Sequence, residues 1–396
     1  MCRGSRPYLD AIVSQLVDLS SQRILTRYSG LLHFMQVLVG RASLLWDIDQ
    51  DNFLPNWGKT GQLGENVARY PTDATRGVVP VPVHSHNDYW RRIPLFEALH
   101  YGCIGVEADV WLFDDDLYVG HNTAALTRNR TFSSLYVDPL VAILDSMNPH
   151  TVFANVSKHG VWDTDYEQTT VLLVDLKTDG ASTLSAVEQQ LEPLRQKGYL
   201  TYFDGEKTVP GAITVVGTGN TPFDLLIANT TYRDIFFDAP LEKLWEKPEP
   251  YLEPEGPEEI EEAKSESERP GRSQPEHREQ DLQARGQGNS GMSSEITASA
   301  FNSDNSFYAS IDFHAAVGRT WRGHLSPRQI HILRGQIHGA KKRGLKARYW
   351  NTPVWPISLR NHVWHILVRE GADILNADDL KAAATQDWRK RRHELL

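Results

Sequence analysis

The sequence predicts an α/β chain folded as a (β/α)8 barrel of the TIM type, and three observations point there. Eight short apolar runs alternate with helical patterns over roughly 310 residues, which suits a closed barrel better than an open sheet. Charged and aromatic residues gather at the carboxyl ends of those runs, where such barrels keep their chemistry: His86, Glu107, Asp109, Asp175, Trp350 and Asn376. The alternation is interrupted once, by an acidic segment too polar to belong to a core.

Residues 1–78 are expected to form a helical leader, punctuated by Gly, Asn and Pro before the barrel begins. An amphipathic helix over 8–45 is the plain expectation. The sharper one is a membrane-surface or organelle-targeting helix, which would give the protein a peripheral membrane contact. Its most apolar stretch, 30–46, is interrupted by His33, Gln36 and Arg41. It therefore falls short of the roughly eighteen apolar residues that a spanning helix needs.

The barrel is expected over 79–385. Strand 1, about 80–86, is apolar up to His84 and His86, and a short helix over 94–101 stops at Gly102. Strand 2 covers 103–111, and the extended run 117–121 ends on His121. After a helix near 139–147, the apolar run 171–177 closes on Asp175 and Lys177 as strand 3. Helical periodicity over 181–197 stops at Gly198. Strands 4 to 8 are expected at 212–216, 234–237, 307–313, 346–350 and 372–375, with helices over 326–342 and 358–369.

Between strands 5 and 6, residues 246–305 are rich in Glu, Pro, Ser, Gln and Gly. Almost no large apolar residue lies between Ile260 and Met292. Such a segment cannot bury enough surface to offset its ordering entropy, so a disordered acidic insertion is expected there. A drifting surface insertion is the plainer reading and a regulatory tail the alternative. Residues 246–285 hold 13 acids against 6 Lys and Arg, a local net of −7 out of −10 for the chain. The remainder is near neutral, and nothing in it favours a nucleic-acid partner. The two cysteines, Cys2 and Cys103, lie at the terminus and in a predicted core strand, which excludes a disulfide framework. Cys103 reads as a small buried hydrophobe.

Glu107 and Asp109 are two apart in one strand and so share a face. With Asp175 from the next strand they make an all-oxygen site, the donor set for a hard divalent cation, Mg²⁺ ahead of Ca²⁺. Such an ion would hold a phosphate oxygen and neutralise charge during phosphoryl transfer. His86 and His121 on either side have the pKa of a general base and a general acid. Lys177, on the face of Asp175, would bind phosphate or order the carboxylates. A lone Glu-x-Asp more often marks a solvated strand edge, and a lone His before a turn is more often structural. Together they point to a ligand, because buried strand ends rarely collect unpaired charges without one. The three carboxylates are expected with oxygens roughly 3–5 Å apart, flanked by the two imidazoles.

The run His86, Glu107-x-Asp109, Gly120-His121 and Asp175-x-Lys177 resembles the barrel superfamily of phospholipase-C-like phosphodiesterases. Glycerophosphodiester phosphodiesterases, phosphatidylinositol-specific phospholipases C and spider-venom sphingomyelinases D belong to it. The fuller text, HSHNDYWR with VEADVW and LYVGH, most closely resembles the fungal altered inheritance of mitochondria protein 6 family. The resemblance covers roughly 78–380, without the acidic insertion. It implies His86 and His121 as the acid/base pair, Glu107, Asp109 and Asp175 as metal ligands, and Lys177 and Trp350 as walls of the substrate pocket. The implied substrate is a phosphodiester, either a small molecule or a lipid head group. The His-Arg-Gly and Glu-Asn-Thr signatures of glycerophosphodiesterases are missing, with His-Asn-Asp in their place, so glycerophosphodiester substrates do not follow.

Two other functions fit some of these residues. His84-x-His86 on strand 1 with a late Asp378 suits an amidohydrolase-type metal hydrolase, but strand 5 supplies none of the histidines that scheme needs. A barrel without catalysis would serve as a binding or membrane-associated scaffold, against which stand both histidines and all three carboxylates. His84 lies two residues deeper than His86 on the same face and reads as a core histidine or one that supports the site.

Overall fold

The computed structural model describes residues 74–149, 151, 158–248, 296–318, 320 and 324–388, with positions 31 and 35. The chain divides into two units, Met1–Pro71 and Thr72–Leu396. In the first only Leu31 and Met35 are described, both helical and exposed, so the expected leader helix lies almost wholly outside the described residues. Among those residues no helix is long and apolar enough to cross a membrane.

The second unit carries the barrel. Its strands are β1 (Val81–Ser85), β2 (Cys103–Phe113), β3 (Thr170–Leu176) and β4 (Ile213–Gly219). They are followed by β5 (Ile235–Pro240), β6 (Ser306–Asp312), β7 (Lys346–Trp350) and β8 (Ile374–Ala377). Each pairs in parallel with its neighbours, and β1 closes the ring by pairing with both β8 and β2. Parallel strands covered on both faces read as continuous apolar runs. In β3 every residue is buried. Leu172, Val174 and Leu176 face the surrounding helices, while Val171 and Leu173 join Val216, Tyr308 and Ile374 in a separate cluster inside the ring. Alternation carries that inner face on to Asp175.

Helices α1 (Phe96–His100) and α2 (Asp138–Met147) follow β1 and β2. The expected strands are all present, with their ends displaced by local chemistry. Strand 8 starts at Ile374 rather than 372 because the helix α6 (Ile357–Glu370) caps on Gly371 in the left-handed region. Ala372 then returns its N–H to Leu367 O, which holds it out of the sheet. The helix expected over 181–197 divides at Leu191 into α3 (Gly180–Gln190) and α4 (Glu192–Gln196). Pro193 in the first turn of α4 lacks the N–H that would continue the ladder. By contrast α5 (Pro327–Lys342) begins where read, with Ser326 and Gln329 closing a reciprocal capping box.

One excursion matters for the site. β2 runs past the barrel to Phe113 and reverses through Asp114 and Asp115, with φ of 48° and 63°. Two successive positive φ values make the tight hairpin turn whose twist matches its strands. The chain returns antiparallel as Asp116–Val119, pairing Val110 with Val119, and delivers Gly120 and His121 beside Asp109.

Most of the expected insertion, 249–295, lies outside the described residues. The described chain resumes at Ile296. Phe301 is fully buried and packs on Phe223 and Phe237 with ring centroids 5.0 and 6.0 Å away. A buried Phe of this kind is worth about 3–5 kcal/mol against truncation to Ala.

Helix α5 approaches the turn after β5 closely because Gly335 and Gly339, one turn apart, face it. A Cβ at Gly339 would overlap the Leu244 carbonyl, and one at Gly335 would overlap the Trp245 indole. Alanine is the better helix former by about 0.8–1 kcal/mol, but backbone cannot yield as a flexible side chain does. Gly339→Ala is therefore expected to lower stability by about 1–3 kcal/mol, read as a lower Tm. A raised Tm would mean that α5 does not sit against that turn.

Candidate active site at the carboxyl ends of the strands

The β pleat builds the centre of the site. Val106, Ala108 and Val110 of β2 pack outward, so Glu107 and Asp109 point into the ring. Asp109 and Asp175 are register partners on β2 and β3. One carboxylate oxygen from each of Glu107, Asp109 and Asp175 lies within 4.8 Å of the others, and all three residues are buried. Three buried like charges need compensation, because removing each ion from water costs several kcal/mol. Two cations supply it. The buried Arg348 of β7 reaches across the ring to Glu107 (Nη2 to Oε2, 3.0 Å), with Nε held by Asn376 Oδ1 at 2.9 Å. Lys177 Nζ bridges Asp175 at 2.7 Å and Asp109 at 3.2 Å.

Neutral donors complete the cluster. Asn87 adopts φ 47°, a left-handed conformation that Asn tolerates, and aims its N–H at Glu107 Oε2 at 3.2 Å. The Tyr89 hydroxyl lies 2.7 Å from Asp109 Oδ2. Burial and the charges of Asp109 and Glu107 push the Tyr89 pKa far up, so it is a fixed donor. Burial also pushes Asp175 up, opposed by Lys177 and reinforced by Asp109, while the same carboxylates outweigh burial at Lys177 and keep it charged. Asp109 Oδ1 is buried yet has no hydrogen-bond partner. An orphaned carboxylate oxygen in an all-oxygen cluster fits a hard cation, and the group is able to hold a metal ion.

The imidazoles stand on either side. His86, just past β1, sets Nδ1 2.9 Å from Asp378 Oδ1 and Nε2 4.0 Å from Glu107 Oε2. Burial lowers its pKa, but Glu107 and Asp378 more than offset that, and the net direction is up. Asp378 moves oppositely: burial raises it, while His86 and Arg91 bring it below the usual carboxylate value. His121 is half-exposed, with Nδ1 3.6 Å from Asp109 Oδ2 and 3.2 Å from the Tyr89 hydroxyl, its ring 4.9 Å from Trp90. His84 is fully buried, with Nε2 4.0 Å from Glu107 Oε2 and its ring edge-on to Tyr308. Burial and Arg348 hold its pKa well down, so it is a neutral member of the barrel interior.

Six of the residues singled out from sequence therefore converge: His86, Glu107, Asp109, His121, Asp175 and Lys177. Trp350 ends β7 on the inward face that Arg348 also takes, half-buried, with its indole N–H buried and without a hydrogen-bond partner among the described residues, and it pairs in register with Asp312. Sequence reasoning overlooked Arg348, Tyr89 and the bond from Asp378 to His86. Arg348 was legible, since it lies two residues before Trp350 in a short strand and so shares its inward face. Asp378 carried a weaker sign, two residues beyond Asn376 at a strand end. Tyr89 gave none that separates it from the neighbouring aromatics.

Residues 72–238 match the AIM6-like phosphodiesterase domain. The chain is similar to the altered inheritance of mitochondria protein 6 homolog of Arthroderma benhamiae, 39% identical over 325 residues, or 80% of this chain and 87% of that protein. It is 35% identical over 327 residues to altered inheritance of mitochondria protein 6 of Lachancea thermotolerans, covering 78% of this chain and 66% of that one. With the Saccharomyces cerevisiae protein of the same name it shares 31% over 329 residues, 78% of this chain and 72% of the other. No solved structure matches the chain.

The His86–Asp378 pair has a signed pH dependence. With its pKa raised above 6.5, His86 contributes stability that is present below 6.5 and lost as pH rises through the folded value. With its pKa below 3.8, Asp378 contributes stability that is present above 3.8 and lost on acidification through the folded value. In metal-free protein, Asp378→Asn should move the His86 NMR titration midpoint down, and its Tm deficit should be largest between those limits. An unchanged midpoint would mean that the contact does not form in solution.

Proposed function

The chain belongs to the altered inheritance of mitochondria protein 6 family, and from that membership and its site geometry we propose that it is a divalent-cation-dependent phosphoric diester hydrolase. The observation that carries the proposal is the buried cluster of Glu107, Asp109 and Asp175, with an orphaned Asp109 oxygen, set between two imidazoles. Among the described residues this all-carboxylate group is the one able to hold a metal, which leaves the histidine-ligated amidohydrolase scheme without a ligand set.

Charge favours a diester. Leaving the imidazoles aside, three carboxylates against Arg348 and Lys177 leave a net of −1. A divalent ion makes that +1, which a phosphodiester monoanion neutralises and a phosphomonoester dianion overshoots. Three protein carboxylates suit Mg²⁺, which keeps several waters, better than Ca²⁺, which takes 6–8 oxygens. When bound, the ion supplies positive charge against a phosphate oxygen as charge develops on it.

The chain's own groups do the rest. Asp378 accepts the Nδ1 proton of His86, so the neutral imidazole turns its Nε2 lone pair toward the cluster, the disposition of a general base. His86 takes the proton of the attacking hydroxyl as its oxygen bonds to phosphorus. The bond from phosphorus to the leaving oxygen breaks, and His121 at the solvent edge protonates that oxygen. Lys177 holds a phosphate oxygen, Tyr89 keeps Asp109 and His121 in register, and Trp350 walls the pocket on the β7 side.

His121→Asn preserves size and hydrogen bonding but not titration. Turnover on a soluble aryl phosphodiester should fall by about 10²–10⁴-fold, with Mg²⁺ affinity by calorimetry nearly unchanged. Asp109→Asn should weaken Mg²⁺ binding and remove turnover with it. A parent protein that binds Mg²⁺ but cleaves no diester would leave the barrel as a binding scaffold instead.

A further inference from the structure

We propose that Arg91 is a positioning residue for the general base: its guanidinium clasps the ends of β1 and β8 and so holds His86 against Asp378. The catalytic part of this rests on the phosphodiesterase reading. Both members of the pair lie one residue past the sheet, since β1 ends at Ser85 and β8 at Ala377. One further backbone bond joins the two chain ends, from His86 N to Ala377 O at 3.1 Å. Among the described residues no backbone donor reaches the next two carbonyls, those of His86 and Asp378.

Arg91 supplies what the ladder lacks there. Its Nη2 donates to His86 O at 3.1 Å and to Ala377 O at 3.2 Å, and its Nη1 donates to Asp378 O. Nε donates to Ser85 Oγ at 3.2 Å. One planar group thus meets two acceptors from each strand end. A guanidinium offers five N–H donors in a fixed fork, which the single ammonium of a lysine does not reproduce. The turn after β1 carries Arg91 back to the strand end it left. Asn87 takes φ 47°, and Arg91 N bonds to Asp88 O at 2.9 Å. Ser85 Oγ in turn donates to the buried Asp88 carboxylate at 2.7 Å, which ties the clasp into the interior.

The pair needs such a clasp. The Asp378 side chain is 50% exposed, and among the described residues its carboxylate has His86 as its one hydrogen-bond partner. A half-exposed carboxylate with a single partner is placed only as well as the backbone that carries it. A displacement of about 1 Å at a reacting group costs about 10²-fold in rate. The plainer role for Arg91 is to stitch the seam between the first and last strands. That role affects stability and leaves the bond from His86 Nδ1 to Asp378 as it is.

The test reads the bond and the rate separately. In the full chain with isotope-labelled histidine, the Nδ1–H of His86 should give a low-field NMR resonance that Asp378→Asn removes. Arg91→Ala and Arg91→Lys should each lose that resonance. Both should lower kcat on a soluble aryl phosphodiester by about 10–10²-fold, with KM little changed. Millimolar guanidinium should return the resonance and part of the turnover to Arg91→Ala, and ammonium should return neither. If Arg91→Ala does not fold, Arg91→Lys, which keeps the charge, carries the test. Three results would each overturn the proposal: a parent without the resonance, a folded variant that retains it, or a variant that loses it at the parent's kcat. A parent that shows the resonance but cleaves no diester would instead overturn the phosphodiesterase reading, and the resonance in the Arg91 variants would then decide the clasp by itself.

Discussion

Three carboxylates share the inner face of the barrel where it is almost dry, and their mutual repulsion is the constraint around which the surrounding structure is arranged. Arg348 and Lys177 offset two of the three charges, one from across the ring and one from the strand end beside them. Breaking such a buried pair by removing one partner costs about 3–5 kcal/mol. The arrangement is thus costly to disturb and, the imidazoles aside, leaves one negative charge uncompensated. That residual charge and the orphaned Asp109 oxygen make the cluster receptive to a cation rather than merely stable.

The loops next to the cluster follow from the same requirement. Asn87 takes a left-handed conformation so that its N–H can meet Glu107. The following turn is anchored by Asp88, which accepts from Ser85 Oγ at 2.7 Å, Leu95 N at 2.6 Å and the Tyr136 hydroxyl at 3.1 Å. Burial still pushes Asp88 up to about 6. Leu95 pays for its bond with φ 64°, a conformation rare for a residue of its bulk. The β2 hairpin serves the opposite flank, where Trp111 Nε1 donates to Gly120 O at 2.6 Å and fixes the residue before His121. Both imidazoles are thereby positioned by backbone geometry rather than by long flexible side chains.

Much of this was legible in the sequence, because a parallel barrel strand leaves a strong trace. An apolar run such as 171–177, closing on Asp175 and Lys177, states both its burial and its polarity of direction. Period-two alternation was enough to pair Glu107 with Asp109. Contacts made across the ring are another matter, since Arg348 and Glu107 are 241 positions apart. No local pattern records which inward charge meets which. Element boundaries slipped where caps and prolines act, a helix at Leu191 and a strand start after Gly371, because periodicity reports a face and not the residue at which hydrogen bonding stops.

The central claim is that Glu107, Asp109 and Asp175 together hold a divalent cation. Anomalous diffraction from crystals soaked in Mn²⁺, a stand-in for Mg²⁺ with similar oxygen preference, tests it most directly. The account predicts an anomalous peak within about 2–2.5 Å of an oxygen from each of the three carboxylates, with the Lys177 ammonium withdrawn from Asp109. A fully soaked crystal without that peak, and with Lys177 still bridging Asp109 and Asp175, would contradict it.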